Sequence, residues 1–464
     1  MKKVFLWLLV ISMVAVFSLA GCKVAAEEKA EEGEAAVKEE AAEEEVTEKE
    51  GEEEAAVVVD PASFEGTIEF WNFATEFEDF IPKFNEKYPN ITVNWTNIPN
   101  EEIASKLETA LGSGTGAPDV FVGEIAYVKR WVDSDVWENL SAAPYNAEEL
   151  TGDIAPYVVD AGRDADGNIR GLSWQATPGG VFYRRSMAKE YFGTDDPDEV
   201  AAMMTTMGDY IEMGKIIKEK SNGENFLIPG WQDLQWFPFN ARTNPWVKDG
   251  KLMIDQCILD YFDQAKLIRD EGLDNKIAQW SPEWFAGMNG NIFSYIMPTW
   301  GLFFVIDPTI NPDEPEEGVE YTSGDWAVTE GPAPYFWGGT WLGMYKDSEV
   351  KDLAWEFIKF ITTDEDFLKW DAQEKGDYVA NLKVVDEIVD DFSWESLGGQ
   401  NHYAFFQKEA AKIDASKITK YDQEIQNMLL AAITAYVEET LTKDEAIAQF
   451  KTDVKTAFPE VSVD

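Results

Sequence analysis

The feature that most constrains the fold is an alternation of strand-like and helix-like segments between residues 66 and 122. Gly66–Trp71 and Ile91–Trp95 alternate apolar and polar residues with the period of a β-strand. Between them runs an apolar stripe at helical spacing: Phe77, Phe80, Ile81, Phe84 and Tyr88. A second helix and a third strand, Pro118–Val122, follow. This order predicts an α/β domain with a largely parallel sheet.

The loops that follow the first and third predicted strands are the first places to look for a ligand site. In open α/β sheets, ligands bind at the carboxyl ends of the strands. The loop after Trp71 holds Asn72 and Glu76, and the loop after Val122 holds Glu124. We therefore expect these polar side chains to lie at a binding cleft.

The first 22 residues have the pattern of a targeting signal. Lys2 and Lys3 precede an apolar stretch that is too short for a confident membrane span. The segment ends in Leu19-Ala20-Gly21-Cys22, which resembles the lipobox of bacterial lipoproteins. We predict a signal peptide over residues 1–22, lipidation of Cys22, and an extracytoplasmic protein anchored to a bacterial membrane, at the cell surface or in the periplasm.

Residues 23–60 are rich in Glu, Ala and Val, with 16 acidic residues against 4 basic ones. Such a segment cannot bury enough apolar surface to offset its ordering entropy, so we expect an acidic disordered tether. The whole chain carries a formal net charge of −50. Phosphate backbones would be repelled by it, so nucleic-acid binding is not expected.

The stretch Gly171–Ser186 indicates a passage between two lobes. Trp174 and Gln175 stand beside a Pro178-Gly179-Gly180 break, and the apolar run Val181–Tyr183 follows. We interpret it as a strand that leaves one lobe, passes the ligand and enters a second lobe.

Several segments together resemble a known family. The strands and helices that contain "KYPNITV", "APDVF" and "DGNIRGLSWQATPGGVFYRR" are similar to the family 1 extracellular solute-binding proteins, the receptors of ABC sugar importers. The stretches 284–301 and 333–346 resemble the family's second and third crossings between lobes, and 348–361 resembles its "A-W-E-F-I-K-F" helix. The likeness covers most of residues 64–455. The chain departs from the family pattern at Ser173, Arg184 and Arg185.

This resemblance implies a two-lobed periplasmic-binding-protein fold of the α/β class, with discontinuous lobes joined by three hinge crossings. We assign 64–173 and 300–333 to lobe 1, and 175–298 and 336–464 to lobe 2. The lobes would close on a small-molecule solute by hinge motion. The expected partners are that solute and the membrane permease subunits of an ABC importer, and we expect a monomer.

Tryptophan platforms and polar partners are the predicted ligand contacts. A sugar has apolar C–H faces and a rim of hydroxyls, so its site needs flat aromatic surfaces and fixed hydrogen-bonding groups. The aromatic candidates are Trp71, Trp174, Trp231, Trp300, Trp337 and Trp341. The polar candidates are Asn72, Glu76, Glu124, Gln175, Gln232 and Asp233. The competing interpretation is that each Trp packs in a core or hinge, and for Trp337 and Trp341 the two interpretations are evenly balanced.

The residues available for catalysis argue for a binder. The chain has one histidine, His402, and Cys257 is the single cysteine besides Cys22. Multi-histidine zinc chemistry is thereby excluded, and we expect no metal, no cofactor and no catalytic residue. A glycosidase, which needs only two carboxylates, stays open as an alternative. A receptor for polyamines or other cations is the second alternative, and the resemblance favours an oligosaccharide receptor.

Overall fold

The computed structural model describes residues 60–464. The predicted signal peptide, the lipidation site Cys22 and the acidic segment up to residue 59 lie outside the described residues. No helix in the described part is both long and apolar enough to cross a membrane.

Strands and helices alternate along the first half of the body, as the sequence predicts. The strands are β1 Gly66–Asn72, β2 Ile91–Asn97, β3 Val120–Glu124, β4 Gly171–Ser173, β5 Gly179–Arg184, β6 Val247–Lys248, β7 Lys251–Leu252, β8 Ser294–Pro298, β9 Trp326–Thr329 and β10 Thr340–Met344. The helices up to β10 are α1 Phe77–Lys87, α2 Asn100–Ser113, α3 Val128–Val132, α4 Pro156–Ala161, α5 Arg185–Phe192, α6 Pro197–Ala201, α7 Met207–Lys220, α8 Trp236–Asn240, α9 Gln256–Asp270, α10 Pro282–Ala286 and α11 Asp307–Ile310. A π-helical turn, Leu302–Ile306, precedes α11.

The chain after β10 is helical. Its helices are α12 Lys351–Thr363, α13 Glu365–Lys375, α14 Leu382–Ile388, α15 His402–Ala410, α16 Asp422–Val437 and α17 Lys443–Ala457. The last helix begins with a capping box: the Thr442 hydroxyl accepts from the Glu445 amide, and the Glu445 carboxylate accepts from the Thr442 amide.

The first sheet has five strands in the order β2-β1-β3-β10-β4. β1 pairs in parallel with β2 and β3, which confirms the predicted parallel sheet, whereas β10 runs antiparallel to β3 and β4. Helices α1 and α12 cover β1, and the rings of Phe70 and Phe84 each lie 5.1 Å from that of Phe357. Full burial of each such ring stabilises the fold by about 1.5–3 kcal/mol, which holds the sheet against the two helices.

The second sheet has three antiparallel strands in the order β8-β5-β9. β4 and β5 therefore lie in different sheets, so the stretch Gly171–Ser186 does pass from one sheet to the other. Next to the second sheet, α16 packs against α9 and α17 in a separate apolar cluster.

The predicted lobe boundaries are wrong for two strands. β9 lies within 300–333, which we assigned with the first sheet, but it pairs with β5 in the second sheet. β10 lies within 336–464, which we assigned with the second sheet, but it fills the place between β3 and β4 in the first. α12 follows β10 onto the first sheet. The reason is that a short apolar strand can satisfy its backbone hydrogen bonds in either sheet, and its own pattern does not say in which.

Candidate functional site

A cavity of about 630 Å³ lies at the end of the first sheet where several of its strands terminate. The carboxyl ends of β1, β3 and β4 and the amino end of antiparallel β10 meet at this end. The lining residues are Phe73, Ala74, Thr75, Glu76, Asn100, Glu101, Glu124, Gln175, Trp280, Trp300, Phe304, Trp337, Gly338, Gly339 and Thr340. The volume is typical of a small-molecule site. Both of the loops at which we expect a ligand therefore line this cavity.

Three tryptophans form an aromatic wall of this cavity. The rings of Trp280 and Trp300 are nearly parallel, with centroids 6.2 Å apart, and Trp337 meets Trp300 edge to face at 4.9 Å. Trp337 is backed by Trp236, whose ring stacks on it at 4.3 Å. The Trp300 indole donates a hydrogen bond to the Trp337 carbonyl at 3.0 Å. Packing and hydrogen bonding thus hold two of these flat surfaces in place before any ligand arrives.

Trp280 is the exposed member of the wall, with 46% of its surface accessible. Its φ is +67°, a left-handed conformation that a residue with a Cβ seldom adopts. The cost of this conformation, about 1–2 kcal/mol, is of the kind that proteins tolerate at binding sites. An exposed, strained tryptophan beside an empty volume is a typical ligand contact.

Carboxyl groups also line the cavity. Glu76 is 8% exposed, and its Oε2 has no hydrogen-bond partner within residues 60–464. Glu124 is partly buried and accepts a hydrogen bond from the Ala126 amide at 2.8 Å. Burial raises the pKa of each of these carboxyls to about 7. Both can therefore accept hydrogen bonds as carboxylates and donate them as acids near neutral pH.

Gln175 adds an oriented amide. Its Nε2 donates to Oδ2 of the buried Asp377 at 3.0 Å, and burial raises the pKa of Asp377 to about 7. Among the described residues, none of those that line the cavity is Lys, Arg or His. The lining consequently combines acidic and amide groups with aromatic rings.

Five of the predicted residues come together in this cavity: Glu76, Glu124, Gln175, Trp300 and Trp337. Three predicted tryptophans instead belong to the cores. Trp174 is 1% exposed, and Phe77 and Phe80 meet it edge to face at 5.5 and 5.8 Å. The interpretation of Trp174 as a ligand platform is wrong in this structure, because protein covers its ring.

Trp231 and Trp341 are the other two corrected tryptophans. Each is 1% exposed. Trp231 packs on Tyr261 in the second cluster, and the Trp341 indole donates to the Val158 carbonyl at 2.8 Å. Trp341 is therefore a core residue, whereas Trp337 lines the cavity.

The remaining predicted residues lie beside the cavity or away from it. Asn72 is buried, and its Oδ1 accepts from the Ala74 amide at 2.8 Å, so it shapes the loop after β1. Trp71 is partly buried against the core. Asp233 is buried where it accepts a hydrogen bond from the Trp284 indole at 3.0 Å, and its neighbour Gln232 is partly buried. None of these four lines the cavity.

Sequence reasoning missed several residues that line the cavity: Phe73, Asn100, Glu101, Trp280 and Phe304. Trp280 directly precedes Ser281, which caps the start of α10, and its ring lies 6.2 Å from that of Phe285. A hydrophobic residue at this position commonly packs on the first turn of the helix, so the sequence gives no separate signal for a ligand contact. Phe304 lies within an uninterrupted apolar run, Leu302–Ile306, whose pattern does not distinguish the exposed ring from its buried neighbours.

His402 has a structural position. It is buried, and its Nε2 is 3.0 Å from the Gly376 carbonyl. Burial lowers its pKa to about 4, so the ring is neutral at physiological pH. In the part of the chain that the structure describes, no group of three or more His, Cys, Asp or Glu side chains is arranged to hold a metal ion.

Comparison with known proteins finds similarity over most of the chain. The family model for bacterial extracellular solute-binding proteins matches residues 79–396. A lactose-binding protein of Rhizobium radiobacter is 23% identical over 420 residues, which are 83% of this chain and 92% of the relative.

Solved structures share the fold over nearly their full lengths. A structure described as extracellular solute-binding protein family 1 has a TM-score of 0.74 at 18% identity and covers 84% of this chain and 99% of its own. A transporter-associated binding protein from B. animalis subsp. lactis, solved with β-1,6-galactobiose, has a TM-score of 0.67 at 19% identity and covers 86% of this chain and 98% of its own. These matches confirm the predicted two-lobed α/β fold.

Proposed function

Because the chain belongs to the bacterial extracellular solute-binding proteins, we propose that it is the receptor of an ABC importer and that its ligand is an oligosaccharide. Family membership implies an extracytoplasmic location. The observation that carries the ligand class is the cavity of about 630 Å³, whose lining combines three tryptophans with carboxyl and amide groups. A sugar presents apolar C–H faces to such a wall and hydroxyls to such polar groups.

The relatives support a sugar ligand. One is named a lactose-binding protein, and a structural neighbour was solved with β-1,6-galactobiose. Both ligands are uncharged disaccharides. The absence of cationic side chains among the described cavity residues agrees with an uncharged ligand, since nothing there would neutralise an acidic sugar.

Family membership argues against a glycosidase. Such an enzyme needs one carboxyl that stays protonated and another that stays ionised on either side of the sugar. Burial raises the pKa of both Glu76 and Glu124, so neither is singled out as the ionised partner. The receptor proposal therefore rests on the match to solute-binding proteins over residues 79–396.

A cationic solute is the second alternative, because a bound cation would favour the ionised forms of Glu76 and Glu124. The aromatic wall would accept a quaternary amine, so this alternative is decided by measurement.

The proposed mechanism is capture by closure. We propose that the passages β4–β5 and β9–β10, which connect the two sheets, act as hinges, and that the ligand favours the closed state by contacting both sides. The closed receptor then docks on membrane permease subunits. A lipid anchor on Cys22 would keep it near that partner and raise its effective concentration.

Isothermal titration calorimetry with lactose, β-1,6-galactobiose, maltose, spermidine and choline tests the ligand class. We expect binding of at least one sugar and a loss of about fivefold in affinity for Trp300→Ala, because an aromatic platform contributes on the order of 1 kcal/mol. Trp95→Ala is the matched control, since Trp95 is partly buried and does not line the cavity. Binding of the amines alone would refute the sugar proposal, and steady cleavage of a bound sugar would refute the receptor.

A further inference from the structure

A second groove of about 450 Å³ continues from the main cavity. The two volumes share Thr75, Glu76 and Phe304. The other lining residues of the second groove are Glu78, Asp79, Phe303, Asp307, Glu374, Lys375 and Trp394. The two volumes therefore adjoin at Thr75, Glu76 and Phe304.

The floor of the second groove is aromatic and unusually exposed. Phe303 and Phe304 lie on the π-helical turn Leu302–Ile306, with ring centroids 4.5 Å apart. Phe304 is 42% exposed. Among the described residues, Phe304 and Trp280 are the two aromatic side chains that rank as exposed large hydrophobic residues. π-Helical turns occur frequently at functional sites. Both exposed aromatic rings thus face the same continuous cleft.

The opposite wall is polar and held in place. Lys375 Nζ forms an ion pair with Asp79 Oδ2 at 2.6 Å, which ties α13 to α1. The Trp394 indole donates to Asp307 Oδ2 at 2.6 Å. These contacts fix the wall before ligand binds, as in the main cavity.

Glu76 stands at the junction of the two volumes. It is 8% exposed, and its Oε2 has no protein partner within the described chain although it is buried. A buried carboxyl oxygen without a partner costs about 1–3 kcal/mol or more, so it is suited to receive a hydroxyl of a ligand that passes from one volume to the other.

We propose that the second groove binds additional sugar units of the same ligand, so that the receptor prefers an uncharged oligosaccharide of three or more units to a disaccharide. This inference rests on the proposed sugar-binding function. It follows from the repeated combination of aromatic floor and carboxyl wall, and from the continuity of the two volumes. The acidic wall, with Glu78, Asp307 and Glu374, disfavours a negatively charged extension.

Calorimetric titration with sugars of two to five units, from a β-galacto-oligosaccharide series and a malto-oligosaccharide series, tests the proposal. We expect the affinity of the wild-type protein to rise at least tenfold from the disaccharide to the tetrasaccharide in the series that it binds. Phe303→Ala, at a residue that lines the second groove alone, should remove most of this gain and leave disaccharide affinity within twofold. Phe73→Ala, at a residue that lines the main cavity alone, should lower affinity at every length.

A second variant guards against misfolding of Phe303→Ala. Glu78 is exposed and lines the second groove, so Glu78→Ala should fold normally and reduce the gain by about threefold. The proposed role of the second groove is refuted if short and long sugars bind equally well, or if both variants keep the full rise in affinity with chain length. Neither result would contradict the proposed receptor function. Failure to bind a sugar of any length would overturn both proposals.

Discussion

Replacing Glu76 with Gln gives a test that depends on burial of one carboxyl. Glu76 lies directly before α1 at the meeting point of the two volumes, is 8% exposed, and has an unpartnered Oε2. Burial raises its pKa from an ordinary value of 4.5 to about 7, and the negative charge of Asp377 adds to the effect. Gln has nearly the same shape and no charge, so the variant removes the cost of ionisation while the packing stays similar.

The direction of the stability change follows from how many protons the folded and the unfolded chain bind at each pH. Below about pH 4.5 the carboxyl is protonated in both states, and the substitution changes little. As the pH rises from about 4.5 to about 7, the unfolded chain releases the proton while the folded chain keeps it, so the wild-type protein loses stability. Above pH 7 the loss is complete and amounts to about 3 kcal/mol, at 1.36 kcal/mol for each unit of pKa.

We therefore expect Glu76→Gln to unfold with about the same free energy as the wild type at pH 4.5, and to be more stable by about 3 kcal/mol at pH 8. Urea denaturation followed by tryptophan fluorescence measures both values. Glu78→Gln is the control, because this neighbour is exposed and its substitution should stay within about 0.5 kcal/mol of wild type at either pH. If Glu76→Gln is less stable than wild type at pH 8, or differs equally at both pH values, the argument from burial is wrong.

Three further predictions follow from the same contacts. Trp174→Ala should lower the free energy of unfolding by about 3–5 kcal/mol in urea denaturation, since the residue is core; a fully stable variant with weakened sugar binding would contradict this. A uronic-acid analogue of the bound sugar should bind at least about tenfold more weakly than the neutral sugar at pH 8, and calorimetry should show a smaller difference at pH 5.5, where the two cavity carboxyls with raised pKa gain protons. Gly338→Ala should weaken sugar binding, because its φ is +86° and a Cβ would lie 2.4 Å from Trp300 Nε1. Gly114→Ala, at φ +65° with no atom within 4 Å, should show similar strain of about 1–2 kcal/mol without loss of affinity.

Local patterns predicted the elements that face a core. The apolar stripe of α1 and the strands β1 to β3 follow from residues that are close in sequence. The helix that the resemblance implies at 348–361 is present as α12, which buries Leu353, Ala354, Phe357, Ile358 and Ile361. These predictions succeed because periodicity and capping depend on neighbours within about four residues.

Local residue patterns did not predict which sheet each short strand joins. β9 and β10 are short apolar strands separated by ten residues, yet they join different sheets. Each strand's pairing is decided by which edge or gap it can fill at long range. The gap between β3 and β4 accepts β10, and β9 completes the second sheet beside β5.

The sequence by itself determined the class of fold, the loops that reach the cavity and several of the residue types that line it. Only the tertiary structure decided which tryptophans do so, because an indole in a loop or strand can turn toward a core, as Trp174 and Trp341 do, or toward open space, as Trp300 and Trp337 do. It also decided the acid strength of Glu76, since a raised carboxyl pKa arises from burial by residues distant in the chain.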